Sequence, residues 1–523
     1  LRYAKILFYS RLQFLMKLKW CWNCNVPLIS EKCELCGNPG VEVPISRSSD
    51  PRPAWEFDLK LLKEVVERDY GAGCYSDLLP NGDEVVLFGR APYMDTSYEV
   101  IADGAVLGHL FFDLFSFSWK FKPSEVGARR IGHRMERINC SADRGEVVGE
   151  ASDDDPDFKL TLNGIACKIG GKYVVTKVFK GRKAVDVKQD RRLLLRANEM
   201  EIELKESRAA LFINRMWEKY GKLVLSFSGG KDSAVLLNLA EKSKCDYLVY
   251  FNDTGIEMPE TIEQAERADI VGSAGDSFWR YVPKFGPPAR DYRWCCKVLK
   301  LVPTYKALKG LTRMTLVGQR RFESLDRMRS KKVWMNEWLP GILTAAPIND
   351  WTALDAWLYV LSRKIEVNKL YFIGFERIGC YLCPSARISD FLKVKERHPD
   401  LWGRWEDFLL STGWSEDQIK YGLWRWVDVP KRFRMFGEGR RRIELDESKV
   451  PEERLMNLAR TSSADDPAVM IRASFCTGCG VCSTYCDAIE IKNGVAFITD
   501  RCSSCGLCNK LCPLLLHWFW RTY

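Results

Sequence analysis

Apolar and polar positions divide the chain into segments with different periodicities. The segment "NGDEVVLFGRAPYMDTSYEVIADGAVLGHLFFDL" alternates short apolar runs with Asn-Gly and Asp-Gly turn signals, a pattern typical of antiparallel strands. A second stretch, "GIACKIGGKYVVTKVFKGRKAVDVKQD", predicts further hairpins, and the acidic "EASDDDPDF" between them predicts an exposed loop. We therefore expect a β-rich accessory domain over residues 50–195.

Helical periodicity follows in "RRLLLRANEMEIELKESRAALFINRMWEKYG", which predicts a long amphipathic helix that leads into the next domain. Strands and helices then alternate, which predicts an α/β domain over residues 200–390 with a parallel sheet covered by helices. Residues 391–460 are rich in tryptophan, helical in pattern, and include the basic run "KRFRMFGEGRRR". We expect this region to be a helical and basic linker whose cations are solvated or contact phosphates.

Length and composition set outer limits on the function. The 523 residues suffice for three or four domains, and 46% hydrophobic with 28% charged residues is ordinary for a soluble protein with sizeable cores. Lysine and arginine exceed aspartate and glutamate by 79 to 69, and the net charge of +10 is compatible with phosphate-bearing ligands or nucleic acid but proves neither. No run of about 20 apolar residues occurs, and the ending "PLLLHWFWRTY" is too short to span a bilayer. We expect a cytoplasmic protein without a membrane partner, whose apolar end packs on the adjacent domain.

The first residues of the sequence bear on where the natural protein starts. The first residue is Leu1, and Met16 directly precedes "KLKWCWNC". We expect Met16 to be the natural start and residues 1–15 to be upstream sequence. The predicted domains are therefore counted from residue 16.

Cysteine is the most informative residue type in the composition. There are 20 cysteines, and all but Cys74, Cys140, Cys167 and Cys245 fall into spaced clusters. Because the chain is long and the clusters are CxxC units, metal ligation in a reducing compartment is favoured over a disulfide scaffold.

The first cluster, "CWNCNVPLISEKCELC", places two CxxC pairs eight residues apart. Two thiolate pairs on tight turns suit one tetrahedral ion, and zinc prefers such a site when no redox chemistry is needed. The sequence therefore predicts a structural zinc ribbon over residues 16–45, and the alternative is a ribbon that contacts nucleic acid. The predicted zinc ligands are Cys21, Cys24, Cys33 and Cys36.

The segment "KLVLSFSGGKDSAVLLNL" predicts a buried strand, a glycine-bearing loop and a helix. Glycines allow positive φ and close approach of backbone N–H groups, and the helix N-terminus adds partial positive charge. The lysine supplies a cation and the serines supply hydroxyl donors, whereas the spacing of a Walker loop is absent. The predicted anion-binding residues are Ser228, Gly229, Gly230, Lys231, Asp232 and Ser233.

The loop resembles the SGGxDS PP-loop of the adenine nucleotide α-hydrolase superfamily, and the segments after it are similar to the phosphoadenosine phosphosulfate (PAPS) reductase family. These segments are "DTGIEMPET", "CCKVLKLVP" (CC-x3-K-x2-P), "GQRRFESLDR" (GxRxxESxxR), "APINDWTALDAWLYV" and "RIGCYLCP", in family order over about residues 222 to 390. The resemblance implies a parallel-sheet PP-loop core that binds an adenine nucleotide. It adds Asp253, Thr254 and Gly255 to the nucleotide site.

The same resemblance implies the chemistry of this core. The four thiolates of CC…CxxC hold a 4Fe–4S cluster in reductases that carry the pattern, and the alternatives are a structural zinc or four buried thiols. The implied ligands are Cys295, Cys296, Cys380 and Cys383. The implied catalytic cations are Lys231, Lys300, Arg320 and Arg327. The two arginines suit phosphate or sulfate oxygens, although a salt bridge to nearby Glu323 is the alternative for one of them.

Two flanking regions carry further resemblances. The second hairpin stretch resembles PUA-type RNA-binding barrels, and the alternative is an accessory domain without that role. Residues 465–515 contain "CTGCGVCSTYC" and "CSSCGLCNKLCP", each C-x2-C-x2-C-x3-C, and resemble a two-cluster bacterial ferredoxin in which the fourth cysteine of each run serves the other cluster. The first implied 4Fe–4S ligand set is Cys476, Cys479, Cys482 and Cys512. The second is Cys486, Cys502, Cys505 and Cys508, although the usual proline after Cys486 is missing.

These expectations leave two enzymatic hypotheses. The first is a sulfonucleotide reductase that binds PAPS or adenosine phosphosulfate (APS) and reduces the sulfonate to sulfite, with three 4Fe–4S clusters, one zinc and an external electron donor. No ECG-type cysteine segment occurs, and the loop "SGGKDS" is intact, which favours a second hypothesis. This is an ATP-dependent sulfur transferase that adenylates and thiolates a tRNA base or another acceptor. A non-catalytic electron carrier is disfavoured because it would not use a nucleotide site.

Overall fold

The computed structural model describes residues 16–324, 326–439 and 447–516. Residues 1–15, the end of the basic run and the last seven residues of the predicted packing segment lie outside the described residues. Within the described part, no helix is both long enough and apolar enough to cross a membrane.

The described part of the chain begins with a small antiparallel sheet of order β2-β1-β3. Its strands are β1 Leu18–Cys21, β2 Val26–Leu28 and β3 Val41–Val43. The buried Trp20 donates its indole N–H to Asn25 Oδ1 at 2.9 Å, and the Asn25 amide donates to Asp103 Oδ1 at 2.7 Å. These two bonds attach the ribbon to the sheet that follows.

The region from residue 50 to 195 contains two antiparallel sheets. The five-stranded sheet, in chain order, consists of β4 Arg52–Pro53, β5 Leu87–Arg90, β6 Ser97–Ala102, β7 Ala105–Asp113 and β8 Ser118–Pro123. The four-stranded sheet, of order β10-β11-β12-β9, consists of β9 Val147–Glu150, β10 Phe158–Leu160, β11 Gly164–Ile169 and β12 Lys172–Val178. The acidic stretch lies in turns between β9 and β10.

This region also contains helices that its strand-like pattern did not predict. They are α1 Glu56–Tyr70, α2 Cys74–Leu78, α3 Glu125–Ile131 and α4 Arg191–Arg196. In α1 the buried side chains Leu62, Val65 and Val66 follow helical spacing and pack in the core of the five-stranded sheet. The helical spacing of apolar residues in α1 therefore interrupts a region whose pattern is otherwise typical of strands.

The central domain is an α/β fold with a six-stranded sheet of order β15-β14-β13-β16-β18-β17, parallel except for β17. Its strands are β13 Leu223–Phe227, β14 Tyr247–Asp253, β15 Ile270–Ser273, β16 Met314–Val317, β17 Val333–Met335 and β18 Leu343–Ala345. Its helices are α5 Glu199–Tyr220, α6 Lys231–Lys242, α7 Pro259–Ile262, α8 Ser277–Phe285, α9 Trp294–Cys296, α10 Val302–Leu308 and α11 Ala353–Arg363. This architecture confirms the predicted fold class.

Residues 391–439 form a packed helical layer, which differs from the expected linker. Its helices are α12 Ile388–Arg397, α13 Pro399–Ser411 and α14 Glu416–Lys420. Trp402, Trp405 and Trp424 are buried in the same apolar cluster as Cys295. Burial of these large rings accounts for the difference, because a solvated linker would leave them in water.

The C-terminal region combines helices with one hairpin. The elements are α15 Glu452–Leu458, α16 Pro467–Phe475, α17 Val481–Tyr485, β19 Ile489–Lys492, β20 Val495–Ile498 and α18 Leu507–Leu511. Strands β19 and β20 pair in antiparallel fashion, and the two cysteine runs flank this hairpin.

Candidate nucleotide site and cysteine centres

The predicted anion loop joins the end of β13 to the start of α6. Gly229 has φ +70°, and Gly230 is the N-cap of α6. Ser233 Oγ donates to Gly230 O at 2.7 Å and accepts from Ser228 N at 3.2 Å, so the two serines close the loop on itself. The loop therefore lies at the carboxyl edge of a central parallel strand, where open α/β sheets bind ligands.

The charged side chains of the loop form a buried chain of ion pairs. Lys231 Nζ donates to Asp232 Oδ2 at 2.6 Å, and Arg320 Nε donates to Asp232 Oδ1 at 2.9 Å. Arg320 Nη1 in turn donates to Asp50 Oδ2 at 2.8 Å. Burial lowers the pKa of Lys231, whereas Arg320 and Lys231 lower the pKa of Asp232 against the opposing effect of burial. Lys231 and Arg320 are thus cations that the protein itself neutralises.

A tyrosine covers the N-terminus of α6. The backbone N–H of Lys231 donates to Tyr371 Oη at 3.0 Å, and Tyr371 is buried. A Cβ added at Gly230 would lie 3.2 Å from that hydroxyl, so the glycine allows the close approach. One of the amide donors expected to face an anion is therefore bonded to a phenol.

The second nucleotide segment follows β14 and leads to the cysteines. Asp253 Oδ1 accepts from Gly255 N at 2.8 Å, and its Oδ2 accepts from Ser273 Oγ at 3.0 Å. Thr254 is fully buried, and its Oγ1 lies 3.5 Å from Cys380 Sγ. The segment that the sequence assigns to the nucleotide therefore contacts the predicted cluster ligands directly.

Four core cysteines meet beside α9. Cys295 and Cys296 end that helix, and a turn between residues 375 and 386 carries Cys380 and Cys383. The thiols interact electrostatically with one another, and Arg293 Nη2 lies 4.0 Å from Cys383 Sγ. A hydrogen bond from the Cys295 thiol and nearby cations lower the pKa of Cys296 to about 5, although burial opposes the shift.

Lys300 and Glu257 flank this core set. Cys380 Sγ donates to Glu257 Oε1 at 3.4 Å, and Lys300 Nζ lies 3.9 Å from the same oxygen. The Glu257 side chain is only 4% exposed, and Cys380 is the largest of the charges that raise the pKa of Lys300. The buried Glu257 carboxylate and the Lys300 cation therefore both lie next to Cys380.

Arg327 pairs with Glu323, four residues earlier in the chain. Burial lowers its pKa to about 10, and the charge of Arg377 adds to that shift. Each of the four predicted catalytic cations therefore has a carboxylate partner within the chain. A salt bridge to Glu323, considered from sequence for one arginine, is present for Arg327.

Several residues of the site were not found from the sequence. Glu257 lies inside one quoted family segment and Arg293 lies two residues before another, so proximity to those motifs was an available signal. Asp50 and Tyr371 lie 270 and 140 residues from their partners Arg320 and Lys231, and no local pattern marks them.

The ribbon cysteines converge more tightly than the core set. The four Sγ atoms lie within 4.8 Å of one another, with Cys21 to Cys36 at 3.5 Å and Cys24 to Cys33 at 3.8 Å. A tetrahedral ion with Zn–S bonds of about 2.3 Å requires sulfur separations of roughly 3.8 Å. The donor set therefore fits one tetrahedral ion, and within the described ranges no other group of Cys, His, Asp or Glu meets this distance limit.

Four of the eight C-terminal cysteines line a cavity between α16, α17 and the end of α18. Its lining includes Cys476, Cys479, Cys482 and Cys512, which combines three cysteines of the first run with the last of the second. Buried Arg472 reaches toward the other set, with Nη1 3.3 Å from Cys508 Sγ. Cys476, Cys482, Cys486 and Cys502 all pack on the apolar cluster that contains Cys508, while Cys505 is exposed. The lining of the cavity is the cross-over grouping that is expected of a two-cluster ferredoxin.

The tail docks on the core domain through this first set. Pro513–Leu516, directly after Cys512, packs against α9, which carries Cys295 and Cys296. The Tyr485 ring stacks on Tyr305 with centroids 4.8 Å apart, and its hydroxyl donates to Trp338 O at 2.8 Å. The segment that directly follows the first C-terminal set is therefore in contact with the helix that carries Cys295 and Cys296.

Comparison with known proteins identifies the central domain. Residues 222–386 match the phosphoadenosine phosphosulfate reductase domain. The chain is 34% identical over 469 residues to the uncharacterized protein MJ0066 of Methanocaldococcus jannaschii, covering 78% of this chain and 96% of that protein. It is 27% identical over 186 residues to adenosine 5'-phosphosulfate reductase of a Geobacillus species, covering 32% of this chain and 74% of that enzyme. Among solved structures, PAPS reductase from Candida auris aligns with 17% identity and a TM-score of 0.28, covering 35% of this chain and 95% of that one.

The sheet order, the loop and the matched domain define the class, which is a PP-loop α/β protein with a PAPS reductase domain. The chain belongs to the family of the Methanocaldococcus jannaschii protein MJ0066, with which it aligns over most of its length.

Proposed function

We propose that this protein reduces the sulfonate of an adenosine phosphosulfate nucleotide to sulfite, with electrons from an external donor. The observation that carries the proposal is the contact of Thr254 with Cys380, because Thr254 belongs to the segment predicted to bind the nucleotide and Cys380 is one of the core thiols. In this reaction two electrons reduce the sulfur, the S–O bond to the nucleotide breaks, and the nucleotide oxygen takes a proton. The protein acts in the cytoplasm.

The residues present fit the groups that this reaction needs. Cys295, Cys296, Cys380 and Cys383 would hold the core 4Fe–4S cluster. The two C-terminal sets of four cysteines, one lining the cavity and one including Cys508, would hold two further 4Fe–4S clusters. The ribbon cysteines would hold zinc. When bound, the iron–sulfur clusters supply one-electron redox chemistry and a large polarisable charge.

The protein's own side chains bind and orient the nucleotide. Ser228, Gly229 and the α6 terminus face the phosphate end, and Asp253 and Gly255 line the edge next to it. Lys300 lies at the core thiols, where its ammonium stabilises negative charge on the sulfonate and on departing sulfite. Thr254 and the Glu257 side chain are buried beside those thiols, whereas the Lys300 side chain is 43% exposed.

The intact loop favours a second candidate, an ATP-dependent sulfur transferase acting on tRNA or another acceptor. A pyrophosphate in that loop would use the Lys231 ammonium and the amides of the α6 terminus. In the structure the ammonium is bonded to Asp232 and the amide to Tyr371, so a bound pyrophosphate would have to replace both partners.

Calorimetry with APS, PAPS and ATP side by side tests the proposal. We expect APS or PAPS to bind the anaerobically purified chain more tightly than ATP, because the paired cations disfavour a triphosphate. Tight binding of ATP alone, with pyrophosphate release in the presence of bulk tRNA, would support the transferase and contradict the reductase.

A further inference from the structure

The accessory sheet reaches the nucleotide loop through one buried carboxylate. Asp50 lies just before β4, and its side chain is 1% exposed. Its Oδ2 accepts from Arg320 Nη1 at 2.8 Å, and its Oδ1 accepts from Ala353 N at 2.6 Å at the start of α11. Both oxygens are thus bonded to the domain that carries the nucleotide site.

The guanidinium of Arg320 is held at both ends. Nη1 is bonded to Asp50, while Nε is bonded to Asp232, whose other oxygen binds Lys231 Nζ. The side chains of Arg320 and Lys231 are 4% and 8% exposed, so water does not screen these contacts effectively. Removing Asp50 would leave Arg320 Nη1 without its carboxylate partner. The guanidinium could then shift, and with it the Asp232 carboxylate that accepts a hydrogen bond from Lys231.

A second accessory residue fixes the same arginine segment from the other side. Arg90, at the end of β5, donates through Nη1 to Glu323 O at 2.6 Å and through Nη2 to Phe322 O at 3.2 Å. Its Nη2 also lies 3.6 Å from Asp50 Oδ2. Asp50 and Arg90 both lie outside the matched domain at residues 222–386.

We propose that Asp50 is a positioning residue of the nucleotide site, acting through Arg320 on Asp232 and Lys231. Arg90 supports it by holding the turn that follows Arg320. The accessory sheet is then part of the nucleotide-binding machinery, because the geometry of the loop depends on its docking. This inference rests on the proposed function only in requiring that the loop binds an adenine nucleotide.

The test is the nucleotide affinity of the full, cluster-loaded chain, measured by calorimetry with APS and, separately, with ATP. Asp50→Ala should weaken binding of the nucleotide that the unmodified chain prefers by about tenfold, since the loop loses its fixed geometry. Arg320→Ala should weaken binding similarly, and the double variant should be no weaker than Arg320→Ala alone, because both changes break the same connection. Arg90→Ala should give a smaller loss.

Asp58→Ala is the matched control for general destabilisation. Asp58 is equally buried in the same region, and it forms a bidentate pair with Arg52 at 2.6 and 2.9 Å away from the loop. It should lower the melting temperature as Asp50→Ala does but leave nucleotide affinity unchanged. Equal affinity losses in both variants would show a purely structural role and overturn the proposal.

Three further outcomes would decide between the positioning role of Asp50 and the proposed reductase activity. Unchanged or tighter binding in Asp50→Ala, or effects of Asp50→Ala and Arg320→Ala that simply add, would overturn the positioning role while leaving the proposed reductase intact. Failure of the unmodified chain to bind either nucleotide would overturn both. Preference for ATP with the expected Asp50 effect would overturn the reductase and retain the positioning role.

Discussion

The ribbon and the core each gather four cysteines, yet their surroundings differ. The ribbon thiols lie within 4.8 Å of one another on a small sheet, attached through Asn25 to the accessory region. The core thiols lie beside Arg293, Lys300 and the nucleotide segment at Thr254. In our proposal the same ligand type serves a structural site in the ribbon, where it is surrounded by its own fold. It serves chemistry in the core, where a cation, a buried carboxylate and the predicted nucleotide segment lie next to the thiols.

The largest expected effect comes from breaking the core set. Cys296→Ser should abolish sulfite formation and lower iron by about 4 atoms per chain, because a tetranuclear cluster loses one of its ligands. Metal analysis and visible absorption measure this, with Cys245→Ser as the control outside every set. Unchanged iron in Cys296→Ser would refute the ligand assignment.

The corresponding change in the ribbon should act on stability instead. Cys33→Ser should remove about 1 zinc per chain and lower the melting temperature, since structural zinc contributes directly to folding. Iron content and nucleotide affinity should stay at the level of the unmodified chain. If Cys33→Ser lost iron and kept its zinc, the assignment of zinc to the ribbon and of iron to the core would be wrong.

An intermediate effect is expected for the cation beside the core thiols. Lys300→Met should slow turnover by about 10- to 100-fold, the usual cost of losing a partner next to metal ligands, with iron content preserved. Lys300→Arg keeps the charge and should recover much of the rate. If Lys300→Met and Lys300→Arg slowed turnover equally, the role of Lys300 would depend on packing and not on its charge.

The smallest effect should be seen inside the ribbon. Trp20→Phe removes the indole donor to Asn25 and should cost about 0.5–1.5 kcal/mol of stability, as expected for one buried hydrogen bond. Denaturant unfolding measures the loss, and turnover should not change. A turnover defect in Trp20→Phe would link the ribbon to the chemistry and weaken the contrast.

Sequence alone predicted those parts of the molecule that are encoded locally. The cysteine sets, the loop and the alternating core were visible because spacing and periodicity act over a few residues, and the α/β fold class is confirmed. The partners of the cations were not visible, because Asp50 contacts Arg320 across 270 residues. The packed tryptophan layer was missed for a similar reason, since burial of Trp405 depends on rings such as Trp424 and Phe278 from other elements.

The most direct test of the central claim is sulfite release by the anaerobic, cluster-loaded chain supplied with reduced ferredoxin or dithionite. We expect APS or PAPS to yield sulfite and the corresponding nucleotide in equal amounts, and ATP to yield no pyrophosphate. Absence of sulfite from both sulfonucleotides, together with ATP-dependent pyrophosphate release, would contradict it.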